Sequence, residues 1–187
     1  CLVGSEMCIR DSNQRLELFK LIYMENINGD MQILTNDPQL GDVASTIMCN
    51  GMNMIPTHFF NLDYDKQAMK ELGNYIGSCG AGRFYMAIDG KGDICPCEYF
   101  RDLKIANIRD DLDTMWLNND ILLKLRNRSL LKGKCGCCES KYICGGCRKR
   151  AFAENNDYLA EDKNCLKDIK ENLLAVSYTH LTLPTIR

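Results

Sequence analysis

The sequence predicts an α+β chain, in which a helix–turn–strand unit precedes a small cysteine-rich domain built on a β-hairpin and short helices. Three observations carry this. Residues 13–26 (NQRLELFKLIYMEN) repeat apolar side chains at helical spacing. The turn DGKG separates FYMAI from DICPC, two runs of strand composition. Between residues 79 and 165 cysteines recur at the short spacings that metal sites use.

In the first helix Leu16, Phe19 and Ile22 share one face, and Leu18 and Leu21 are expected to widen it. NGD at 28–30 signals a turn. MQILT at 31–35 then reads as a short buried strand, ended by NDP at 36–38. Residues 39–61 have no clean period and read as a loop or a segment lining an active site. Residues 63–73 predict a short helix capped by Gly73. After the hairpin, Leu112, Met115, Trp116, Leu122 and Leu125 recur at helical spacing, with a break near Asn118–Asp120, and are expected to be core. RKRAFAENNDYLAED predicts a short helix running into a loop, and DIKENLL begins a last helix.

The two ends stand apart from the rest. CLVGSEMCIRDS and VSYTHLTLPTIR resemble translated sequencing adapter. MCIRDS can be encoded ATG TGT ATA AGA GAC AG, whose reverse complement in a shifted frame gives VSYTH. Two ends of a protein have no physical reason for that relation, and neither resembles a targeting signal. Residues 1–12 and 175–187 are therefore expected to be foreign, and residues 13–174 an internal piece of a longer protein.

The net charge of −2 gives no argument for a nucleic-acid partner. No apolar run reaches the roughly 18 residues that span a bilayer. The expected location is the cytoplasm, with no membrane partner.

Of 12 cysteines, Cys1 and Cys8 fall in the adapter-like end, leaving ten with a single histidine, His58. Cysteine-rich chains are disulfide scaffolds or metal proteins. Metal is favoured here. The chain can build an ordinary core, adjacent Cys137 and Cys138 suit disulfide geometry poorly, and CxxC pairs are ligand spacing. Twelve residues separate Cys79 from Gly92, and four separate Gly92 from Cys97. After a gap of 37 residues comes Cys135-x2-Cys138-x5-Cys144-x2-Cys147, and after seventeen more, Cys165. A CxxC turn delivers two sulfurs from one tight loop, and a distant cysteine closes the cage. These seven are too many for one zinc and one short of two four-cysteine sites. All-sulfur ligation suits zinc and iron–sulfur clusters alike.

This pattern resembles the SPASM domain, the auxiliary-cluster module of radical S-adenosylmethionine enzymes. Its signature is a cysteine, Gly-x4-Cys, Cys-x2-Cys-x5-Cys-x3-Cys and a last cysteine. The chain matches at Cys79, Gly92, Cys97, Cys135, Cys138, Cys144, Cys147 and Cys165, with two residues rather than three between Cys144 and Cys147. That CGGCR form, with YIGSCGAGR and DYLAEDKNC, resembles the heme-biosynthesis-like branch. QILTNDPQ resembles the tail of the parent radical (β/α) barrel.

The resemblance implies the end of that barrel over 13–62, a linker helix over 63–78 and the SPASM domain over 79–174. It implies two 4Fe-4S clusters. Cys79, Cys97 and Cys147 would hold auxiliary cluster I, and Cys135, Cys138, Cys144 and Cys165 auxiliary cluster II. The fourth position of cluster I is expected to be open to substrate, with Cys95, Cys49 or an oxygen ligand as the other candidates. In the intact parent it implies S-adenosylmethionine and a third 4Fe-4S cluster on a CxxxCxxC motif, which residues 13–174 do not contain. The fragment alone is therefore expected to be inactive. The parent would act on a small molecule, such as a tetrapyrrole, or on a ribosomal peptide. An electron donor such as ferredoxin or flavodoxin would serve it.

Other residues have a functional and a plain reading. Cys95 and Cys137 read as small buried thiols tucked against a cluster, and Cys49 as a core cysteine. Arg83, Arg148 and Arg150 either tune anionic clusters or are solvated charge. Gly80, Gly82, Gly145 and Gly146 let backbone approach a cluster. His58 reads as structural. Two further function classes fit part of the pattern: a zinc-ribbon-like interaction module on Cys135, Cys138, Cys144 and Cys147, and a ferredoxin-type electron carrier. The first leaves Cys79, Cys97 and Cys165 unexplained, and the helix–strand start argues against the second.

Overall fold

The computed structural model describes residues 12–28, 30, 33, 35–47, 77 and 79–169. Helix α1 (Ser12–Asn28) lies against α2 (Gln39–Ile47). Leu16, Phe19 and Ile22 are buried with Leu40 and Val43 of α2 and with Leu166. Leu18 and Leu21 do not widen this stripe and are exposed. At about 100° per residue Leu21 points to the far side of the helix, while Tyr23 and Asn26 complete the buried face.

The expected strand over 31–35 lies partly outside the described residues. Ile33 and Thr35 are not in a strand. The Asn26 amide instead mimics a strand partner: Asn26 Nδ2 donates to the Ile33 carbonyl (2.9 Å) and the Ile33 N–H donates to Asn26 Oδ1 (2.7 Å). The irregular reading of 39–61 is corrected at its start, because Gln39–Ile47 is helical. NDP opens this helix rather than ending a strand. Asp37 Oδ1 accepts the Gln39 N–H (3.0 Å), and Pro38 takes the position where a missing N–H costs nothing. Cys49, His58, the predicted helix over 63–73 and the adapter-like residues 1–11 and 175–187 lie outside the described residues.

The hairpin forms as predicted. Strands β1 (Ala87–Ile88) and β2 (Asp93–Cys95) pair antiparallel with Ile88 opposite Ile94, and β3 (Ala106–Asn107), unforeseen in the sequence, pairs with β2. Asp89 Oδ1 closes the turn by accepting the N–H groups of Lys91 (2.8 Å) and Asp93 (2.9 Å). Gly92 follows at φ 84°, where a side chain would be strained and its Cβ would meet Ile108 at 2.9 Å. The glycine of Gly-x4-Cys is thus a hairpin requirement.

Helices α3 (Leu112–Asn118) and α4 (Asp120–Arg126) break at Asn119. The Asn119 side chain caps α4 by accepting from Ile121 N (2.9 Å) and Leu122 N (3.3 Å). Asn127 ends α4 and caps the 3-10 turn Arg128–Leu130. Leu122 and Leu125 are buried as expected, but α3 buries none of its residues, and Leu112 is exposed. Trp116 is half-buried, with the Arg126 guanidinium 4.1 Å above its ring. A short helix α5 (Gly133–Cys137), a glycine loop, α6 (Arg148–Asn155) and a 3-10 turn Leu166–Ile169 complete the described chain. Asn156 stops α6 in the left-handed region at φ 51°.

Candidate metal centre

No disulfide joins the nine cysteines among the described residues. Seven of them fall into two neighbourhoods. The first lies between the hairpin and α6. Cys97 is buried with Ala81 and Phe100, and Cys79, Phe152 and Tyr158 pack against them. Burial pushes the Cys97 thiol up to about 11, opposed by the Tyr99 backbone N–H and helped by the charge of Cys79. Cys147 is pushed up to about 12, by burial first and then by Cys79. Tyr85 reports on the group: burial raises its phenol, and then come the charges of Cys79, Cys97 and Cys147. Three thiols far apart in sequence therefore bear on one tyrosine through their charges.

The loop carrying Cys79 is clamped from α4. Gly82, at φ 66°, lies so close beneath that helix that a Cβ would meet Leu122 at 2.8 Å and Leu125 at 3.0 Å. Arg126 Nε donates to the Gly82 carbonyl (3.1 Å) and Arg128 Nη2 to the Cys79 carbonyl (2.7 Å). Gly80 yields its side-chain space to the Tyr85 ring, 2.6 Å from where a Cβ would lie.

The second neighbourhood holds Cys135, Cys138, Cys144 and Cys165. Cys135 Sγ accepts the Asp162 N–H (3.4 Å) and faces Arg148 Nη2 (3.7 Å). Cys138 Sγ faces Lys167 Nζ (3.2 Å), and Cys144 Sγ accepts the Gly146 N–H (3.4 Å). Burial drives the Cys144 thiol well above its ordinary value, and the charges of Asp42 and Cys165 act in the same direction. Thiols held up in this way stay protonated at neutral pH until a cation takes the proton's place.

Asp162, missed in the sequence, organises this side. Its buried carboxylate accepts from Arg150 Nη2 (2.7 Å), Cys147 N (2.8 Å) and Asn164 N (3.2 Å). Burial opposes its ionisation, but Arg150 prevails and holds it below the usual carboxylate range. Arg150 also reaches Asp37 (2.8 Å), which ties the start of α2 to α6. Gln39 fastens the loop around Cys165 by donating to the Asn164 carbonyl (2.9 Å) and accepting from Leu166 N (3.1 Å).

Two plain readings are corrected. Arg148 is not solvated charge but buried, bonded to the carbonyls of Gly145, Gly146, Tyr158 and Ala160. Cys137 is exposed rather than tucked in, since two residues along α5 turn it about 200° from buried Cys135. Arg150 is spent on its two carboxylates. Arg83 donates to the Gly77 carbonyl (2.7 Å) and stands over the Phe84 ring. Cys95 is buried in β2 with its thiol on the Ala87 carbonyl (3.6 Å).

Among the described residues, no three Cys, His, Asp or Glu side chains converge tightly enough to hold a single metal ion. A zinc draws each thiolate to about 2.3 Å, so the four cysteines of a two-CxxC ribbon do not stand as a preformed zinc cage. The donor set fits iron–sulfur ligation on chemistry: thiols only, N–H donors on sulfur, and buried guanidiniums that form no ion pair among the described residues.

Comparison with known proteins agrees with that donor set. Residues 79–154 match the SPASM family, an iron–sulfur cluster-binding domain. This stretch is similar to that iron–sulfur cluster-binding domain. Over 89 residues the chain is 40% identical to the AdoMet-dependent heme synthase of Methanosarcina barkeri, covering 47% of this chain and 25% of that protein. It is 33% identical over 88 residues to the AdoMet-dependent heme synthase of Nitratidesulfovibrio vulgaris, covering 46% and 24%. The pre-heme d1 synthase of Dinoroseobacter shibae is 33% identical over 100 residues, covering 51% and 25%. The chain thus spans about a quarter of the length of the curated relatives it matches. No solved structure matches it. Among the described residues no helix is long and apolar enough to cross a membrane.

Proposed function

We propose that the chain is part of a radical S-adenosylmethionine oxidoreductase and carries two auxiliary 4Fe-4S clusters. Cys79, Cys97 and Cys147 hold one, and Cys135, Cys138, Cys144 and Cys165 the other. The observation that carries this reading is an all-thiol donor set with backbone N–H groups on its sulfurs, Asp162 on Cys135 and Gly146 on Cys144, in a stretch similar to an iron–sulfur cluster-binding domain.

Residues 13–62 are read as the end of the catalytic barrel, 63–78 as a linker and 79–174 as the cluster domain. Helices α1 and α2, docked on the Cys165 loop through Gln39 and on α6 through Asp37, are in keeping with that order. When bound, the clusters supply one-electron exchange with a substrate radical, or an open iron that positions substrate. The chain's part is to exclude water from Cys97 with Phe100 and Phe152, and to present N–H groups to sulfur through Gly146 and Asp162. The parent's substrate is read as a tetrapyrrole from the names of its relatives, and its reductant as a ferredoxin or flavodoxin. Cysteines without disulfides suit the reducing cytoplasm.

The test is anaerobic reconstitution of the full chain with iron and sulfide, followed by iron, sulfide and zinc analysis and a visible spectrum. Two clusters' worth of iron with broad sulfur-to-iron absorption is expected. A colourless protein holding stoichiometric zinc would sink the proposal. Without a CxxxCxxC motif, the chain alone is expected not to cleave S-adenosylmethionine.

A further inference from the structure

Two buried guanidiniums lie beside the thiols, and among the described residues neither forms an ion pair with a carboxylate. Arg148 spends its N–H groups on four carbonyls and the Cys135 thiol. Arg128, only 4% exposed, does not. Its Nη2 is anchored on the Cys79 carbonyl, but Nε and Nη1 are buried with no acceptor among the described residues. A buried cation with idle donors is costly unless an anion with free lone pairs meets it.

The surroundings say where that anion sits. The anchor of Arg128 belongs to the Cys79 loop. Thiolate-ligated iron–sulfur groups are anionic, and their sulfurs accept hydrogen bonds. Neither Arg128 nor its idle donors could be foreseen from cysteine spacing.

We propose that Arg128 is the positioning cation of the cluster at Cys79, Cys97 and Cys147, fixed by the Cys79 carbonyl and donating Nε–H and Nη1–H to cluster sulfur. This rests on the iron–sulfur reading above. The reduced cluster carries one more negative charge than the oxidised one, so the guanidinium favours reduction and raises the potential.

The experiment uses the full chain reconstituted anaerobically, with an EPR-monitored redox titration, iron analysis and thermal melts of the iron-free and loaded forms. Arg128→Gln should keep its iron. One cluster, the one absent from Cys79→Ala, should show a reduced-to-oxidised ratio at least about tenfold lower at fixed potential, about 59 mV for a one-electron couple. Arg109→Gln, on the exposed surface, should shift neither cluster. Arg128→Gln should melt no lower than wild type without iron, and lower than wild type with it. A purely structural arginine would destabilise both forms alike. Equal losses in the two forms, or unchanged potentials at wild-type iron content, would overturn the proposal. If Arg128→Gln fails to load, Arg128→Lys decides. Loss of iron to a chelator at least tenfold faster than wild type supports the role of the forked donor, and wild-type retention refutes it. A wild-type chain that takes up no iron–sulfur would instead sink the reading underneath.

Discussion

The two thiol neighbourhoods are built from chain in opposite ways. The one at Cys79 and Cys97 is mostly local. A hairpin, Gly82 beneath Leu122, and Arg126 and Arg128 on nearby carbonyls fix it within some fifty residues, the span from Cys79 to Arg128 being 49 positions. The one at Cys135 and Cys165 hangs on distant segments, with Gln39 lying 127 positions from Leu166 and Asp37 lying 113 from Arg150. Closing such long loops costs chain entropy before any contact rewards it. The local neighbourhood should therefore persist when the docking of α1 and α2 fails, and the distant one should not.

Cysteine removal should split the pair most sharply. Cys79→Ala and Cys135→Ala are each expected to remove about half of the bound iron, one cluster's worth, by iron analysis. Equal loss of both clusters from either variant would merge the two neighbourhoods into one unit. Next comes Arg150→Ala, which strands the buried Asp162 carboxylate. Breaking such a pair costs about 3–5 kcal/mol. Urea unfolding should register it, and iron should leave the Cys135 side first.

Leu122→Ala attacks the local side, emptying space above Gly82 in a fully buried position. A loss of about 2–5 kcal/mol is expected, with the Cys79 cluster the more labile under chelator. Asn119→Ala removes the α4 cap and the side-chain bond to the Ile105 carbonyl (3.3 Å), and should cost about 1–2 kcal/mol in a thermal melt without changing iron content. Should it empty the Cys79 site, α4 carries more of that neighbourhood than its packing implies.

The local half was far more legible in the sequence than the distant half. DGKG, Gly92 and the break at Asn118–Asp120 act over a few residues, so periodicity and turn chemistry expose them. Two-residue β3 is too short to leave a pattern. Asp37, Gln39 and Asp162 are ordinary polar residues until the chain brings them together, and nothing local announces that. NDP reads locally as a strand end, and it is the packing of Leu40 and Val43 against α1 that makes it a helix start. Arginine is read as surface by default, so the burial of Arg128 and Arg148 left no trace.

The glycines of CGGC carry one more consequence. Gly145 and Gly146 both lie in the left-handed region, at φ 59° and 68°, and a Cβ on Gly146 would sit 3.1 Å from Cys135 Sγ. Backbone of that hand reverses the chain between two cysteines that a CxxC turn would otherwise aim at the same point. Reading frame along the chain and partnership in space can come apart at such a turn, as the proposed ligand split of Cys144 from Cys147 requires. On the proposed ligand split, anyone grafting this cysteine tetrad into another scaffold as a compact metal tag would be transplanting two half-sites, each useless without chain left behind.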